Sequence, residues 1–353
     1  VPDNSTNAAP AISACARRCG TITFPAAAAF RVGSIDLSNT TGLTLSFAAG
    51  SFLFASTDPA DFPIQPALPP QGPNVTQWRA VVYGRNVSNL TIVGPGTIDG
   101  MGAPWWANFT NGTLAHQRPK LLEIVDCIGL IIDGSTWQNS PFWTLHPTYC
   151  TGVTIRNVRT LAPRAVGNTD GIDPDSCSDV VIDSCHVDVG DDGISVKSGP
   201  RDDTGELVPC SDVLITNTTV LSRNIAIGSA CFGNITNVRM VDSVIGDDAG
   251  SSPWAIKIKT HMPNGGVVDN VTFANLTIGA IAPNTYQQPH GGQVLIAYED
   301  YGADGDSGVT ARMAAEIARR ACLGDGAVPA PTLVTRVAFL GLHAKSAMVV
   351  AEL

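Results

Sequence analysis

Short β-branched runs return along most of the chain, and they restrict its fold more than any other feature. The clearest are Leu90-Thr91-Ile92, Leu130-Ile131-Ile132, Val153-Thr154-Ile155, Val180-Val181-Ile182, Val213-Leu214-Ile215, Val238-Arg239-Met240 and Val271-Thr272-Phe273. After the first gap they recur every two to three dozen residues. Turn-forming residues follow many of them, as at Gly94, Gly134, Asn157, Ser184 and Asn217. Repetition at this period marks a solenoid. The units are too short and too β-rich for helical repeats, and they lack the leucine-rich consensus and the propeller dipeptide. The pattern predicts an all-β fold, a single right-handed parallel β-helix whose side chains stack in ladders along the axis.

An open solenoid needs its ends covered. The alanine-rich stretch Ala8–Cys19 predicts a short helical cap within residues 1–19. A second helical candidate spans Val309–Cys322, with Met313, Ile317 and Ala321 at helical spacing, as an insertion before the last strands. Pro59–Pro73 reads as an extended loop. No linker divides the chain, so residues 1–353 are expected to form one domain.

Low charged content, at 15%, together with 35 glycines and 24 prolines, suits a turn-rich β protein. The formal charge of −10 argues against nucleic acid as a partner, and an anionic ligand would need a local basic cluster. No run is long and apolar enough to span a membrane. The chain starts at Val1 and not at Met, which fits a removed signal peptide. Sequons begin at Asn4, Asn39, Asn74, Asn86, Asn89, Asn108, Asn111, Asn217, Asn234, Asn270 and Asn275. So many point to a secreted, extracellular or cell-wall glycoprotein. In that compartment most of the nine cysteines are expected to pair, with at least one left over. Cys15 and Cys19 lack a second Cys/His pair at zinc spacing, so no metal is expected there.

Three carboxylates interrupt this pattern. Asn168-Thr169-Asp170-Gly171 is followed by Gly190-Asp191-Asp192-Gly193. Adjacent residues on a regular strand face opposite ways. Two adjacent aspartates between glycines therefore suggest a bend that turns both toward one site. Like charges so close push one pKa upward, which is how a carboxylic acid keeps a proton to donate. The competing reading is a polar Asp-Gly turn.

At these motifs the chain resembles the polygalacturonase family of pectin-degrading glycoside hydrolases, particularly its plant-type members. The resemblance runs in order through Gly20-Thr21-Ile22-Thr23-Phe24-Pro25, Gly96-Thr97-Ile98-Asp99-Gly100, Trp105-Trp106, Asn139-Ser140-Pro141-Phe142-Trp143, His146-Pro147, Asn168 to Cys177, and Gly190 to Gly199. It implies a pectin-lyase-like β-helix and hydrolysis of α-1,4-linked galacturonic acid polysaccharide with inversion, without cofactor or metal. By the same resemblance Asp191 is the general acid, and Asp170 and Asp192 hold and deprotonate the attacking water. Inversion requires carboxyl groups roughly 6.5–9.5 Å apart. Lys257 and Lys259 of Lys257-Ile258-Lys259-Thr260 match the family's Arg-Ile-Lys-Thr and would bind sugar carboxylates. Tyr301, ahead of Tyr298, matches the family tyrosine beside the substrate.

The chain also departs from the family pattern. Arg223 stands where the family has a histidine, before Ile227-Gly228-Ser229, and becomes a substrate-contact or ion-pair candidate. Lys257 for arginine keeps the charge but loses the bidentate fork. Gly193 replaces the usual cysteine, so one family disulfide is missing or rewired. These departures keep two alternatives in view: an impaired or non-catalytic carbohydrate-binding glycoprotein, and a pectate-lyase-like enzyme using calcium. His146 and His186 read as packing or turn residues, whereas His261 is within reach of the groove. Trp105, Trp106, Trp137, Phe142 and Trp143 read as core packing ahead of a sugar platform. Oligomeric state is left open, self-assembly included.

Overall fold

The computed structural model describes residues 6–69, 75–222, 224–247, 254–260, 265–280, 292–298 and 333–344. Parallel strands stack coil upon coil in three ladders. The longest runs through Thr21–Phe24, Thr44–Phe47, Val82–Val93, Leu122–Asp133, Thr151–Arg156, Ser178–Asp183, Cys210–Thr216, Ile235–Ile245, Val267–Ile278 and Leu333–Ala344. The second joins Ala29–Val32, Phe52–Ala55, Thr97–Asp99, Thr136–Gln138, Arg159–Leu161, His186–Asp188 and Thr219–Val220. The third passes from the first halves of Val82–Val93 and Leu122–Asp133 through Leu145–Thr148 and bridges at Ile172 and Asp175. It continues in Ile194–Pro200, Ile225–Cys231, Trp254–Thr260 and Gly292–Tyr298. This architecture is a parallel β-helix.

The recurring runs supply its core. Leu45, Ile92, Ile132, Ile155, Ile182, Ile215, Met240, Phe273 and Phe339 pair rung on rung. From Leu45 to Phe273 each is at most 2% exposed. Burying one such side chain is worth roughly 1.5–3 kcal/mol, so the ladder is a main source of stability.

Each coil bends at residues with positive φ. One set lies in register at Asn89, Gly129, Gly152, Asp179, Asp212, Asn237 and Asn270, inside the long ladder. A second follows the runs at Gly94, Gly134, Asn157, Ser184, Asn217, Asp242 and Asn275. Asparagine, aspartate and glycine dominate because they enter the left-handed region at least cost. This explains much of the sequon load. An asparagine bend followed two residues later by Ser or Thr is also an Asn-X-Ser/Thr triplet, as at Asn89, Asn217, Asn270 and Asn275. Several such amides bond along the axis: Asn217 donates to Asp183 at 3.0 Å, Asn270 to Asn237 at 2.8 Å and Asn275 to Asp242 at 2.6 Å.

Helix α1, Ala9–Ala16, lies within the predicted cap region. It buries Ala9, Ile12, Ser13 and Ala16, and Ser13 Oγ accepts the Asp36 N–H at 2.8 Å. Cys15 and Cys19, at its foot, stand 5.5 Å apart at Cα, within disulfide reach.

The structure corrects two expectations. Cys127, Cys150, Cys177, Cys185, Cys210 and Cys231 are buried, unbridged thiols. Four of them, Cys127, Cys150, Cys177 and Cys210, take the same position on successive coils, where a thiol packs as a small apolar group. The second correction concerns Pro59–Pro73, which is only partly loop. Ile64–Pro66 pairs antiparallel with Thr76–Trp78 after a short 3-10 turn at Pro59–Asp61. The helical candidate at Val309–Cys322, Asn4 and Asn74 lie outside the described residues. A second helix, α2 (Ala103–Thr110), went unpredicted; Pro104 near its N-terminus was the available signal.

Candidate active site

The site is assembled by stacking adjacent coils. Gly171 N–H donates to Asp192 O at 3.0 Å, and Gly193 N–H to Asn224 O at 2.8 Å. Asp170, Asp192 and Asn224 therefore stand on neighbouring rungs. Gly190 permits the close approach: a Cβ there would fall 2.0 Å from Val166 O. Gly193 is packed the same way, since a Cβ would fall 2.3 Å from Val220 Cγ1. Val220 occupies that side of the coil.

Asp170 and Asp192 are nearly buried, at 5% and 4% exposure, whereas Asp191 is half-buried. The bend does bring the acids together, but in different settings. Asp191 Oδ2 accepts the Asn168 N–H at 2.7 Å, and Oδ1 accepts the Asp192 N–H at 2.9 Å. Asp192 receives Lys259 Nζ at 2.7 Å on one oxygen and Asn224 Nδ2 at 2.7 Å on the other. Burial alone would raise its pKa, but Lys259, Lys197 and Lys257 outweigh that and hold it below the ordinary carboxylate value. Asp170 goes the other way. Burial, then the Asp173, Asp191 and Asp192 charges, push it well up, against the pull of Lys197. Two neighbouring carboxylates with opposite shifts suit an acid–base site.

Lys259 sits in register with Gly228, whose φ is +104°. A Cβ on Gly228 would strike Lys259 O at 1.9 Å, so only glycine lets these strands close up. Lys257, two residues earlier, shares the face and acts on Asp192. Arg223, Tyr301 and His261 lie outside the described residues, and Tyr298 is described only as the end of strand Gly292–Tyr298. His186 is half-buried on its short strand, and His146 is fully buried between Glu123 and Asp175, as packing residues would be. Trp105, Trp137, Phe142 and Trp143 are buried, which favours packing over a sugar platform; Trp106 is half-buried.

The structure adds four residues to which the sequence gave no role. Arg118, 1% exposed, donates to Asn168 Oδ1 at 2.8 Å and to Pro141 O at 3.1 Å, and so fixes the loop whose N–H reaches Asp191. Beside this loop, Trp106, Phe109, Arg118, Val166 and Gly167 line a cavity of about 370 Å³. Asn224 holds Asp192. Lys197 Nζ lies 2.9 Å from Asp173 and 3.4 Å from Asp170. A lysine directly after the strand-forming Ile194-Ser195-Val196 was a sign of a buried ion pair, since lysine is rarely buried without a partner. Among the described residues no cluster of three or more His, Cys, Asp or Glu side chains could hold a metal ion.

A sequence profile of glycosyl hydrolases family 28 matches residues 21–286. A Vitis vinifera protein described as a probable polygalacturonase is 35% identical over 256 residues, covering 70% of this chain and 51% of the relative. A Ralstonia solanacearum polygalacturonase is 26% identical over 293 residues, covering 69% and 53%. The chain thus spans about half the length of the curated relatives it matches. Among solved structures, the polygalacturonase of Erwinia carotovora ssp. carotovora aligns with a TM-score of 0.68 at 19% identity, covering 100% of this chain and 95% of its own. A Yersinia enterocolitica family 28 exopolygalacturonase aligns with a TM-score of 0.74 at 17% identity, covering 98% and 64%. These two likenesses speak to the β-helix, and the profile over most of the chain speaks to descent: the protein belongs to glycosyl hydrolases family 28.

Proposed function

We propose that this protein hydrolyses an α-linked uronic-acid polysaccharide, polygalacturonate above all, by single displacement with inversion. The observation that carries the reading is the cluster of three acids on two adjacent coils, backed by lysines. Asp191, the most exposed of the three acids, protonates the glycosidic oxygen. Its two backbone hydrogen bonds fix its orientation. Asp192, kept ionised by Lys259, and Asp170, with its raised proton affinity, together hold the water and take its proton. Lys257 and Lys259 draw the sugar carboxylates into an otherwise acidic molecule. Arg223 and Tyr301 complete the proposed substrate contacts.

The decisive experiment incubates purified protein with polygalacturonate and follows reducing ends and the anomeric form of the first product by NMR. The expected result is inverted product from the wild type and almost none from Asp191→Asn. Arg223→His is expected to raise the rate if the family histidine is what limits it. An inert wild type, unchanged by Arg223→His, would leave the non-catalytic glycoprotein reading in its place. Calcium-dependent release of unsaturated ends would point to a lyase.

Secretion belongs to the same proposal, with one β-helical domain, a Cys15–Cys19 disulfide and N-linked glycans. Asn108 and Asn111, exposed near the end of α2, are the sites we favour for glycans. The amides of Asn217, Asn270 and Asn275 are already engaged along the solenoid. Glycopeptide mass spectrometry of protein from a eukaryotic secretory host tests this. Among the described residues no helix is long and apolar enough to cross a membrane.

A further inference from the structure

Beneath the acidic site lies a buried cation that the proposed chemistry does not yet use. Lys197, on strand Ile194–Pro200, is 3% exposed. Its ammonium stands 4.4 Å from the centre of the Trp143 ring. Lys120 Nζ stands over the same ring at 5.1 Å and is paired with Glu123, itself bonded by Gln77 and faced by His146. Trp143 is anchored in turn, since Ser140 Oγ donates to its carbonyl at 2.9 Å. A packed ring and two acids thus fix where the Lys197 charge lies.

The charges around Asp170 are unbalanced. Asp173, Asp191 and Asp192 all raise its proton affinity, and Lys197 opposes them. Lys259 is paired with Asp192. Lys197 is also shared. It lies closer to Asp173, at 2.9 Å, than to Asp170, at 3.4 Å. Lys197 is the close cation on Asp173, whose oxygens have no other hydrogen-bond partner among the described residues, and His146 adds to the hold through its charge.

We propose that Lys197 is a positioning residue that favours the carboxylate form of Asp170 and aims it for water activation, and that Asp173 sets the strength of that hold by competing for the same ammonium. This rests on the hydrolase reading, in which Asp170 must take a proton from water. Without Lys197, Asp170 stays protonated over more of the acidic range and cannot act as a base. Without Asp173, the ammonium is released toward Asp170, and the base survives to lower pH. The two substitutions therefore act in opposite directions, which no purely structural role requires.

The test compares pH profiles of kcat on polygalacturonate for wild type, Lys197→Met, Lys197→Arg and Asp173→Asn. Carboxyl titration of ¹³C-aspartate-labelled protein runs alongside, with the Asp170 signal assigned by its loss in Asp170→Asn. The expected result is an acidic limb moved up by about 1 unit or more in Lys197→Met, moved down in Asp173→Asn and near wild type in Lys197→Arg. The Asp170 signal is expected to move in the same senses. A uniform fall in kcat with the limb unmoved, or both charge-removing variants shifting the same way, overturns the proposal. If the wild type shows no turnover, the hydrolase reading falls, and the carboxyl titration still decides whether Lys197 governs Asp170. If Lys197→Met does not melt cooperatively, Asp173→Asn decides: a downward shift supports the proposal and no shift overturns it.

Discussion

Asp183 and Asp192 lie nine positions apart in sequence and do unrelated work. Asp183 ends a strand on the bend side of the solenoid, half-exposed, and accepts the Asn217 amide at 3.0 Å. Asp192 is buried and tied to Lys259 and Asn224. Bend-side acids and amides bond along the axis in water, where each contact is worth little. Asp170 and Asp192 are enclosed, so each charge needs a cation and both proton affinities move. The same residue type is a turn device on one side and a buried, ion-paired group at the candidate site on the other, and burial separates the two.

The sharpest way to break this comparison is to make one change on both sides. Asp191→Asn should lower turnover by roughly 10²–10⁴, the usual worth of a general acid, while Asp183→Asn should leave turnover near wild type. Comparable losses from both would erase the distinction.

Ion pairs give the next largest contrast. Lys259→Met takes the ion-paired ammonium from a buried carboxylate and should cost about 3–5 kcal/mol in denaturant unfolding. Arg156→Met removes the exposed pair with Asp133, whose arginine side chain is 52% exposed, and should cost about 0–1 kcal/mol.

Bend geometry is the third. Asn237, at φ +57°, donates to Asp212 at 2.9 Å and accepts from Asn270 at 2.8 Å. Asn237→Ala should cost about 1–2 kcal/mol, because an L side chain resists this conformation. Asn237→Gly should recover most of it. Equal melting curves for the two variants would show that backbone conformation is not what the bend asparagine supplies.

The smallest expected effect is one of sign. The folded pKa of Asp170 is raised, so its contribution is full below the unfolded value near 3.9 and is lost as pH rises toward the folded value. Asp170→Asn should therefore raise Tm at neutral pH by about 2–4 °C. Asp133 is lowered, by the Asn157 hydrogen bond and then Arg156, so its contribution is present above about 3.9 and lost as pH falls through the folded value. Asp133→Asn should lower Tm slightly at pH 7 and leave it unchanged near pH 2. Thermal melts across pH 2–8 read both signs.

The recurrence of Leu, Ile and Val with a turn residue behind them was enough to give the coils, because a side chain that repeats in register has nowhere to go but the stack. The bends at Gly94, Gly134, Asn157, Ser184 and Asn217 were legible for the same local reason. The three aspartates were legible as a group because two short Asp-Gly motifs, Asp170-Gly171 and Asp191-Asp192-Gly193, recur one coil apart. Other features misled. Bend asparagines counted as sequons also serve backbone geometry, and cysteines expected to pair instead stack as thiols. A sequon or a cysteine names a chemistry, whereas its neighbour along the axis decides whether that chemistry is available.

By itself, then, the sequence determined the repeat, the bends and the three acids, since all three are short-range patterns fixed by backbone preference and side-chain period. Only the tertiary structure decided which cation faces which acid. Lys197 is 27 residues from Asp170, Lys259 is 67 from Asp192 and Arg118 is 50 from Asn168. Those pairings depend on how adjacent coils register, and the proton affinities of the site depend on the burial that the same stacking imposes.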